Sequence, residues 1–202
     1  MSTTMMYAFG TNGNAYLYGE THNAWRGAWT IWEYLEKKYL PPYIPEYVQS
    51  CNWYDPSLSY EEIVRYLTFP PTRLNDTEKS KAIWALYNDP KVDRVDKIVL
   101  ATTFDHPIIP KTNIQEVIDA FEDFECENTS LPEQAIILRK MLADDNVIAV
   151  GWNQTSVSAD DWENWGVDEN GDPIPYNCLT GNEHFNPFDE DELKEALSNG
   201  KL

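Results

Sequence analysis

The chain has 202 residues and a formal net charge of −19, a length that suits one domain with a sizeable hydrophobic core. Its 8 Trp, 12 Tyr and 7 Phe exclude the aromatic-poor composition of disordered acidic proteins. No stretch approaches the ~20 apolar residues of a membrane-spanning helix, and the first residues lack a secretory signal pattern. We therefore expect a folded cytoplasmic protein that has no membrane partner.

The acidic residues are concentrated in the second half of the chain. Residues 1–101 hold 10 Lys and Arg against 12 Asp and Glu, whereas residues 102–202 hold 5 against 22, a net charge of −17. A nucleic-acid ligand needs a basic footprint, which this sequence lacks. The charge therefore predicts a basic protein as the partner and argues against direct binding of nucleic acid.

Three predicted elements fill the first part of the chain. Two aromatic-rich runs flank an Asn-Gly turn and predict a β-hairpin, Met5–Gly10 with Ala15–Gly19. Apolar residues then recur at helical spacing from Asn23 to Tyr39, which predicts an amphipathic helix that ends before a Pro-Pro pair. Its apolar stripe consists of Trp25, Ala28, Trp29, Trp32, Leu35 and Tyr39. The Pro- and Tyr-rich residues 41–58 predict a surface loop.

Capping signals and apolar runs define the middle of the chain. Ser59-x-x-Glu62, Asn75-x-x-Glu78 and Ser130-x-x-Glu133 match the capping box and predict three helices. A further helix follows Thr112 or Asn113, with Ile114, Val117, Ile118 and Phe121 as its apolar stripe. The continuous apolar runs at residues 97–104 and 146–152 predict two buried strands.

The predicted elements give an α+β class: a single domain whose mixed or antiparallel sheet is covered by four to five helices. We assign residues 1–152 to its core. Residues 153–202 are expected to form an acidic, turn-rich C-terminal extension packed on the same domain. Within that extension, a hairpin is predicted around Asp168–Pro173 and a short acidic helix at residues 189–197.

Carboxylates on the helix after Asn113 form the first candidate binding site. They occupy the side away from the apolar stripe and rise by ~4.5–6 Å from one to the next, a spacing comparable to that of charge along duplex DNA. The candidates on this helix are Glu116, Asp119, Glu122 and Asp123. Like charges at this density repel one another and lower the stability of the fold. This cost favours a functional role for the carboxylates. A solvated surface that only promotes solubility stays open as the alternative.

A second group of candidates combines tryptophan with acid. Trp162 and Trp165 lie among Asp160, Asp161 and Glu163, and an aromatic anchor inside a polar rim is typical of protein–protein interfaces. We therefore predict that these five residues contact the partner. Trp152 stands at the end of a predicted strand, where a core position is at least as well supported.

Motifs for chemistry are missing from the sequence. Cys51, Cys126 and Cys178 are odd in number and widely spaced, which fits reduced thiols better than a disulfide framework. The three histidines lie far apart in sequence, and Asp168-x-Asn170 fails as a calcium loop because the residue eleven beyond Asp168 is Leu179 instead of a bidentate glutamate. We predict no catalytic residue, no metal and no cofactor, while an enzyme with a dispersed site stays open.

In charge and size the chain resembles the nucleic-acid-mimicking inhibitors of phages and mobile elements, such as antirestriction and anti-CRISPR proteins. That resemblance implies an inhibitor that occupies the basic nucleic-acid-binding surface of a nuclease or defence complex. Two other functions are compatible with the sequence. One is an immunity protein that neutralises a basic nuclease toxin, and the other is a small hydrolase or transferase.

Overall fold

The computed structural model describes residues 2–68, 76–104, 106–155, 161–182, 184 and 186–189. The chain divides into two compact units, one combining Met1–Trp32 with Asp93–Leu202 and the other formed by Glu33–Val92. Helices and antiparallel strands occur together, which confirms the predicted α+β class.

An antiparallel sheet lies at the centre of the first unit. β1 (Thr3–Gly10) pairs with β2 (Ala15–His22) on one side and with β4 (Val147–Gln154) on the other, and β3 (Ile108–Pro110) pairs with β4. The order of the described strands is therefore β2-β1-β4-β3. Gly13 in the hairpin turn has φ 84°, a conformation that favours glycine. The predicted N-terminal hairpin and the predicted strand at 146–152 are confirmed.

Three helices of the first unit follow one another in sequence: α5 (Arg94–Ala101), α6 (Ile114–Asp123) and α7 (Leu131–Ala143). α6 buries the whole of its predicted apolar stripe, as expected for an amphipathic helix against a core. α7 is less buried than its run of apolar residues predicts, because Ile136 is 54% exposed.

Residues 97–104 do not form the predicted central strand, because residues 94–101 are the helix α5. Its side chains at positions 98–100 are all buried. A short apolar run fits a buried helix as well as a buried strand, so hydrophobicity alone could not separate them. The hydroxyl of Thr102 donates to the Val99 carbonyl at 2.8 Å and that of Thr103 to the Leu100 carbonyl at 2.6 Å.

The helix predicted from Asn23 onward is interrupted. A 3-10 turn occupies Ala24–Gly27, and Ala28 leaves the helical region at φ −139°, ψ −65°. α1 (Trp29–Tyr39) begins only after this break. Trp25 therefore does not belong to a buried stripe, since it is 49% exposed.

Two of the predicted capping boxes can be compared with the structure. The box at Ser59 and Glu62 is formed, with Ser59 N donating to Glu62 Oε2 at 2.8 Å and Glu62 N donating to Ser59 Oγ at 3.3 Å. The box at Ser130 and Glu133 is not formed. There the Ser130 hydroxyl accepts a hydrogen bond from Gln134 Nε2 at 3.0 Å instead, because Gln134 is a buried donor that needs an acceptor.

The second unit is helical in its described part. α3 (Tyr60–Arg65) and α4 (Asp76–Asn88) match predicted helices, and α2 (Glu46–Gln49) is a short helix inside the segment predicted as a loop. Ile63 of α3 and Ile83 of α4 are fully buried. The predicted cap Asn75 lies outside the described residues.

The predicted C-terminal hairpin is present. β5 (Gly166–Val167) pairs with β6 (Pro173–Ile174) in an antiparallel register, and Gly171 in the connecting loop has φ 87°. The acidic helix predicted at residues 189–197 lies outside the described residues, apart from its first position.

The two faces of the sheet have different covers. On one face the Trp152 indole donates from Nε1 to Gln134 Oε1 of α7 at 3.0 Å. On the other face, the Phe9 ring meets Trp162 at 5.4 Å and Tyr176 at 6.2 Å between ring centroids. Side chains alternate between the two sides of a strand, so residues after β4 are needed to close this second face. We call residues 161–182 the sheet cover.

Candidate functional site

Four predicted carboxylates lie together on the exposed side of α6, which we call the acidic face: Glu116, Asp119, Glu122 and Asp123. All but the half-buried Glu116 are exposed. The opposite side of the helix is the buried stripe, so the helix cannot rotate to hide these side chains. Glu122 and Asp123 lie in the last turn, which contains no basic residue, although the carbonyl end of a helix favours cations.

Arginine neutralises half of the acidic face. Arg94 Nε donates to Glu116 Oε1 at 2.7 Å, and Arg139 pairs with Glu122. Asp119 accepts a hydrogen bond from Gln115 Nε2 at 2.7 Å. Because these ion pairs are exposed to solvent, each contributes only about 0–1 kcal/mol. The negative face is therefore weaker than the sequence alone indicates.

Exposed carboxylates also lie at the end of α6 and just beyond it. Within the described part of the chain, neither the Asp123 side chain nor that of Glu125 has a hydrogen bond or an ion pair. Both side chains are exposed. The unneutralised charge of this region is consequently concentrated at residues 119–127, where Glu127 is exposed as well.

Trp162 is a core residue and cannot contact a partner as predicted. Its side chain is fully buried, and its Nε1 donates to the Trp152 carbonyl at 2.9 Å. The ring meets Phe9 and Tyr176 edge to face, the latter at 5.0 Å. The sequence placed Trp162 in a polar rim, but the apolar face of the sheet provides a better environment for a large ring.

Two carboxylates beside Trp162 bind the sheet cover to the strands. Asp161 Oδ1 accepts a hydrogen bond from the Tyr7 hydroxyl at 3.1 Å, and Glu163 Oε1 accepts one from Leu17 N at 3.1 Å. Burial, and then the charge of Asp161, raise the pKa of Tyr7 above its ordinary value. These carboxylates are half-buried and serve as internal acceptors. The predicted partner residue Asp160 lies outside the described residues.

The structure brings two histidines into contact with the sheet cover, which the sequence did not predict. The His106 ring meets Trp162 at 5.3 Å and Trp165 at 4.8 Å, and His184 Nδ1 lies 2.7 Å from the Tyr176 hydroxyl. Burial, followed by the nearby His106, lowers the pKa of His184. The two histidines come from separate segments, so no local spacing could have indicated their proximity. Trp165 is half-buried and remains a predicted contact residue.

The loop that superficially matches a calcium site is explained by its own hydrogen bonds. Asp168 Oδ1 accepts from Asn170 N at 2.8 Å and from Asp172 N at 2.9 Å, which is the arrangement of an Asx turn. These backbone donors lower the pKa of Asp168. Among the described residues, no group of three or more His, Cys, Asp or Glu side chains could hold a metal ion.

The cysteines show no sign of an activated thiol. Cys51, Cys126 and Cys178 are half-buried and form no disulfide bond, and Cys178 packs against the aromatic core of the sheet cover. Burial raises the pKa of Cys178, which opposes formation of the nucleophilic thiolate.

In the described portion of the chain, no helix is both long and apolar enough to span a bilayer.

No protein-family model, curated protein or solved structure matches the chain. The charge and the geometry of the molecule are therefore the basis for a functional proposal.

Proposed function

We propose that this chain is an acidic inhibitor that binds the basic nucleic-acid-binding surface of a nuclease or defence complex. Carboxylates take the places of phosphates in this proposal, as in an anti-CRISPR or antirestriction protein of a phage or mobile element. The observation that carries it is the net charge of −17 in residues 102–202, where 22 acidic residues face 5 basic ones. A basic protein surface is the partner that such a charge attracts most strongly.

The end of α6 is the part of the surface best suited to this role. Asp119 and Asp123 stand one helical turn apart, about 6 Å along the axis, and both are exposed. Among the described residues no cation pairs with Asp123, and the pairs at Glu116 and Glu122 are solvent-exposed. A partner's lysine or arginine could replace those arginines at small energetic cost, because exposed pairs contribute about 0–1 kcal/mol.

Inhibition of DNA cleavage tests the proposal directly. A panel of restriction nucleases, RNA-guided nucleases and nuclease toxins is assayed with the protein present, at several DNA and salt concentrations. We expect inhibition of at least one enzyme that is competitive with duplex DNA and weakens steeply as salt rises. Inhibition of a toxin alone would identify an immunity protein instead. The proposal fails if no enzyme on the panel is inhibited, or if the inhibition is independent of salt.

A matched pair of charge-reversal variants locates the surface. The face variant carries Asp119→Lys, Asp123→Lys and Glu125→Lys, and the control variant carries Glu20→Lys, Glu46→Lys and Glu61→Lys. All six side chains are exposed, and both variants change the net charge by the same amount. We expect the face variant to lose inhibition and the control variant to retain most of it. Equal effects would assign the inhibition to overall charge.

One observation favours a small hydrolase or transferase as a second candidate. His106 and His184 both contact the sheet cover, His106 at Trp162 and His184 at Tyr176, where the Tyr176 hydroxyl and His184 Nδ1 are 2.7 Å apart. General acid–base chemistry needs such titratable groups within hydrogen-bond distance. A screen of ester, phosphoester and acyl-transfer substrates with the wild type and His184→Asn separates the two candidates. Turnover by the wild type that disappears in His184→Asn supports an enzyme. If the wild type turns over none of the substrates, the hydrolase or transferase candidate is rejected.

A further inference from the structure

Trp25 presents an exposed indole whose position is fixed by its neighbours. One ring face lies against Trp29, with centroids 5.1 Å apart and planes at 17°, while 49% of the residue remains exposed. Trp29 in turn meets Trp32 at 5.5 Å, and Trp32 Nε1 donates to the buried Thr103 hydroxyl at 2.7 Å. This row of three indoles anchors the exposed ring in the core and limits its motion.

The backbone that carries Trp25 is held by hydrogen bonds to the segment after α6. Arg26 donates from Nε to the Asn128 carbonyl at 3.0 Å and from Nη2 to the Thr129 carbonyl at 2.6 Å, and its own carbonyl accepts from Ser130 N at 3.2 Å. Arg26 also pairs with Glu133 at 3.3 Å. These bonds occupy the Arg26 guanidinium and join the turn at residues 23–28 to the chain at 128–133.

The surroundings of this turn are acidic. The exposed Glu127 immediately precedes Asn128, to which Arg26 is bonded, and the exposed Asp123 and Glu125 belong to the same short segment. A rigid aromatic ring on a turn that is bonded to an acidic segment is suited to a cation, because the ring face attracts the positive charge and carboxylates of that segment can pair with it.

We propose that Trp25 is the aromatic anchor of the partner-binding surface and stacks against an arginine side chain of the basic partner. The inference rests on the proposed function, since it presupposes a basic partner, and it identifies the contact that an acidic helix alone does not provide. Arginine is favoured over lysine because its planar guanidinium can stack on the indole and keep N–H groups free to donate to a carboxylate. An exposed tryptophan in a polar rim is also the residue type that dominates interface energetics.

The second unit contains a stacked aromatic pair that serves as a control. Tyr66 lies against Trp53 with centroids 4.7 Å apart and planes at 14°, and it is 61% exposed. Its neighbour in sequence is the exposed Arg65, whereas Arg26 beside Trp25 is half-buried and paired with Glu133, so a cation is disfavoured more strongly at Tyr66 than at Trp25. The Tyr66→Leu variant therefore removes an exposed, stacked ring without removing the proposed anchor.

The test is a titration of the full chain with an octa-arginine peptide, followed by NMR of the tryptophan indole N–H signals. Trp25→Phe assigns the Trp25 signal and retains an aromatic ring, and Trp25→Leu removes the ring. We expect the Trp25 signal to shift on titration, and Trp25→Leu to weaken binding by about three- to tenfold. Trp25→Phe is expected to lose less than Trp25→Leu, and Tyr66→Leu is expected to bind like the wild type.

The outcomes separate this inference from the proposed function. If the face variant loses peptide binding while Trp25→Leu binds normally, the end of α6 is still supported as the binding surface. The proposal that Trp25 is its anchor is then rejected. If Trp25→Leu and Tyr66→Leu lose affinity equally, the effect is not specific to Trp25 and the anchor is again rejected. If octa-arginine binds none of the proteins, both the anchor and the proposed function fail.

Discussion

The acidic face of α6 and the sheet cover both contain carboxylates and use them in opposite ways. On α6, carboxylates lie in solvent and form at most exposed ion pairs with Arg94 and Arg139. In the sheet cover, Asp161 and Glu163 accept hydrogen bonds from β1 and β2, and Trp162 is buried against the sheet. One region is available to a partner, and the other holds the molecule together.

The difference shows that aromatic residues among acids do not by themselves indicate an interface. What decides their role is whether an uncovered apolar surface lies within reach of the segment. β1 and β4 expose such a surface through Phe9 and Ala149, and burial of a large ring there stabilises the fold by about 1.5–3 kcal/mol. At the end of α6 only the Phe124 ring is needed in the core, where it is buried, and the flanking Asp123 and Glu125 stay exposed.

Replacement of Trp162 should have the largest effect on the sheet cover. Trp162→Ala removes a fully buried ring and the hydrogen bond to the Trp152 carbonyl, so we expect a loss of about 3–5 kcal/mol in the free energy of unfolding. Urea denaturation followed by tryptophan fluorescence and circular dichroism measures it. The exposed Trp25, changed to alanine, is the control and should lose much less. A loss below 1 kcal/mol for Trp162→Ala would contradict the assignment of Trp162 to the core.

The carboxylate of Asp161 offers a second test of the same region. Tyr7→Phe deletes the hydroxyl that donates to it at 3.1 Å and should reduce the free energy of unfolding by about 1–2 kcal/mol. Tyr18→Phe removes a longer bond of 3.4 Å to Asp144 and should cost under about 0.5 kcal/mol. If the two variants are equally stable, Asp161 does not fasten the sheet cover.

Mild acid should weaken the sheet cover through His184. Its pKa lies below the ordinary value of 6.5 because of burial and then because of His106. The unfolded chain therefore binds the proton more tightly, so the contribution of this residue is complete above pH 6.5 and is lost as the pH falls through the folded pKa. Unfolding free energies measured between about pH 7.5 and 5.5 should fall less in His184→Asn than in the wild type.

The exposed His22 is the matched control for that experiment. His22→Asn should retain the wild-type dependence on pH, while His184→Asn keeps an acceptor for the Tyr176 hydroxyl but no longer titrates. If the free energy of unfolding depends on pH as steeply in His184→Asn as in the wild type, His184 is not the origin of that dependence.

The acidic face should respond least, and in the opposite direction. Asp123→Lys places a cation in the last turn of α6, where no basic residue now stands, so we expect a gain of about 0.3–1 kcal/mol in the free energy of unfolding. Thermal melts at low ionic strength are the most sensitive measurement. Asp119→Lys, earlier in the helix, should gain less. A marked loss of stability in Asp123→Lys would show that the carboxylate has a structural role.

Local signals predicted most of the secondary structure. The Asn-Gly turn, the α6 stripe, the capping box at Ser59 and the hairpin after Gly166 all depend on neighbours within a few residues, and all are present. The strand predicted at 97–104 was wrong because its apolar run has no period that separates a buried helix from a buried strand. The capping box at Ser130 was wrong because a buried glutamine side chain competes for its hydroxyl.

The candidate site was predicted less well, since it depends on contacts between distant segments. The exposed side of α6 follows from the helical spacing of its apolar residues. The arginines that pair with Glu116 and Glu122, however, come from α5 and α7. Burial of Trp162 depends on β1 and β4, and the meeting of His106 with His184 depends on the path of the sheet cover. None of these pairings has a fixed spacing in the sequence, so they appear only in the folded chain.

The most direct test of the account is the affinity of the protein for a fluorescent octalysine peptide, measured by anisotropy at low and high salt. The account predicts that the face variant binds at least about tenfold more weakly than the wild type at low salt. It also predicts that the control variant changes by less than about threefold, although both carry the same added charge. Equal losses in the two variants would contradict the claim that the end of α6 is the binding surface.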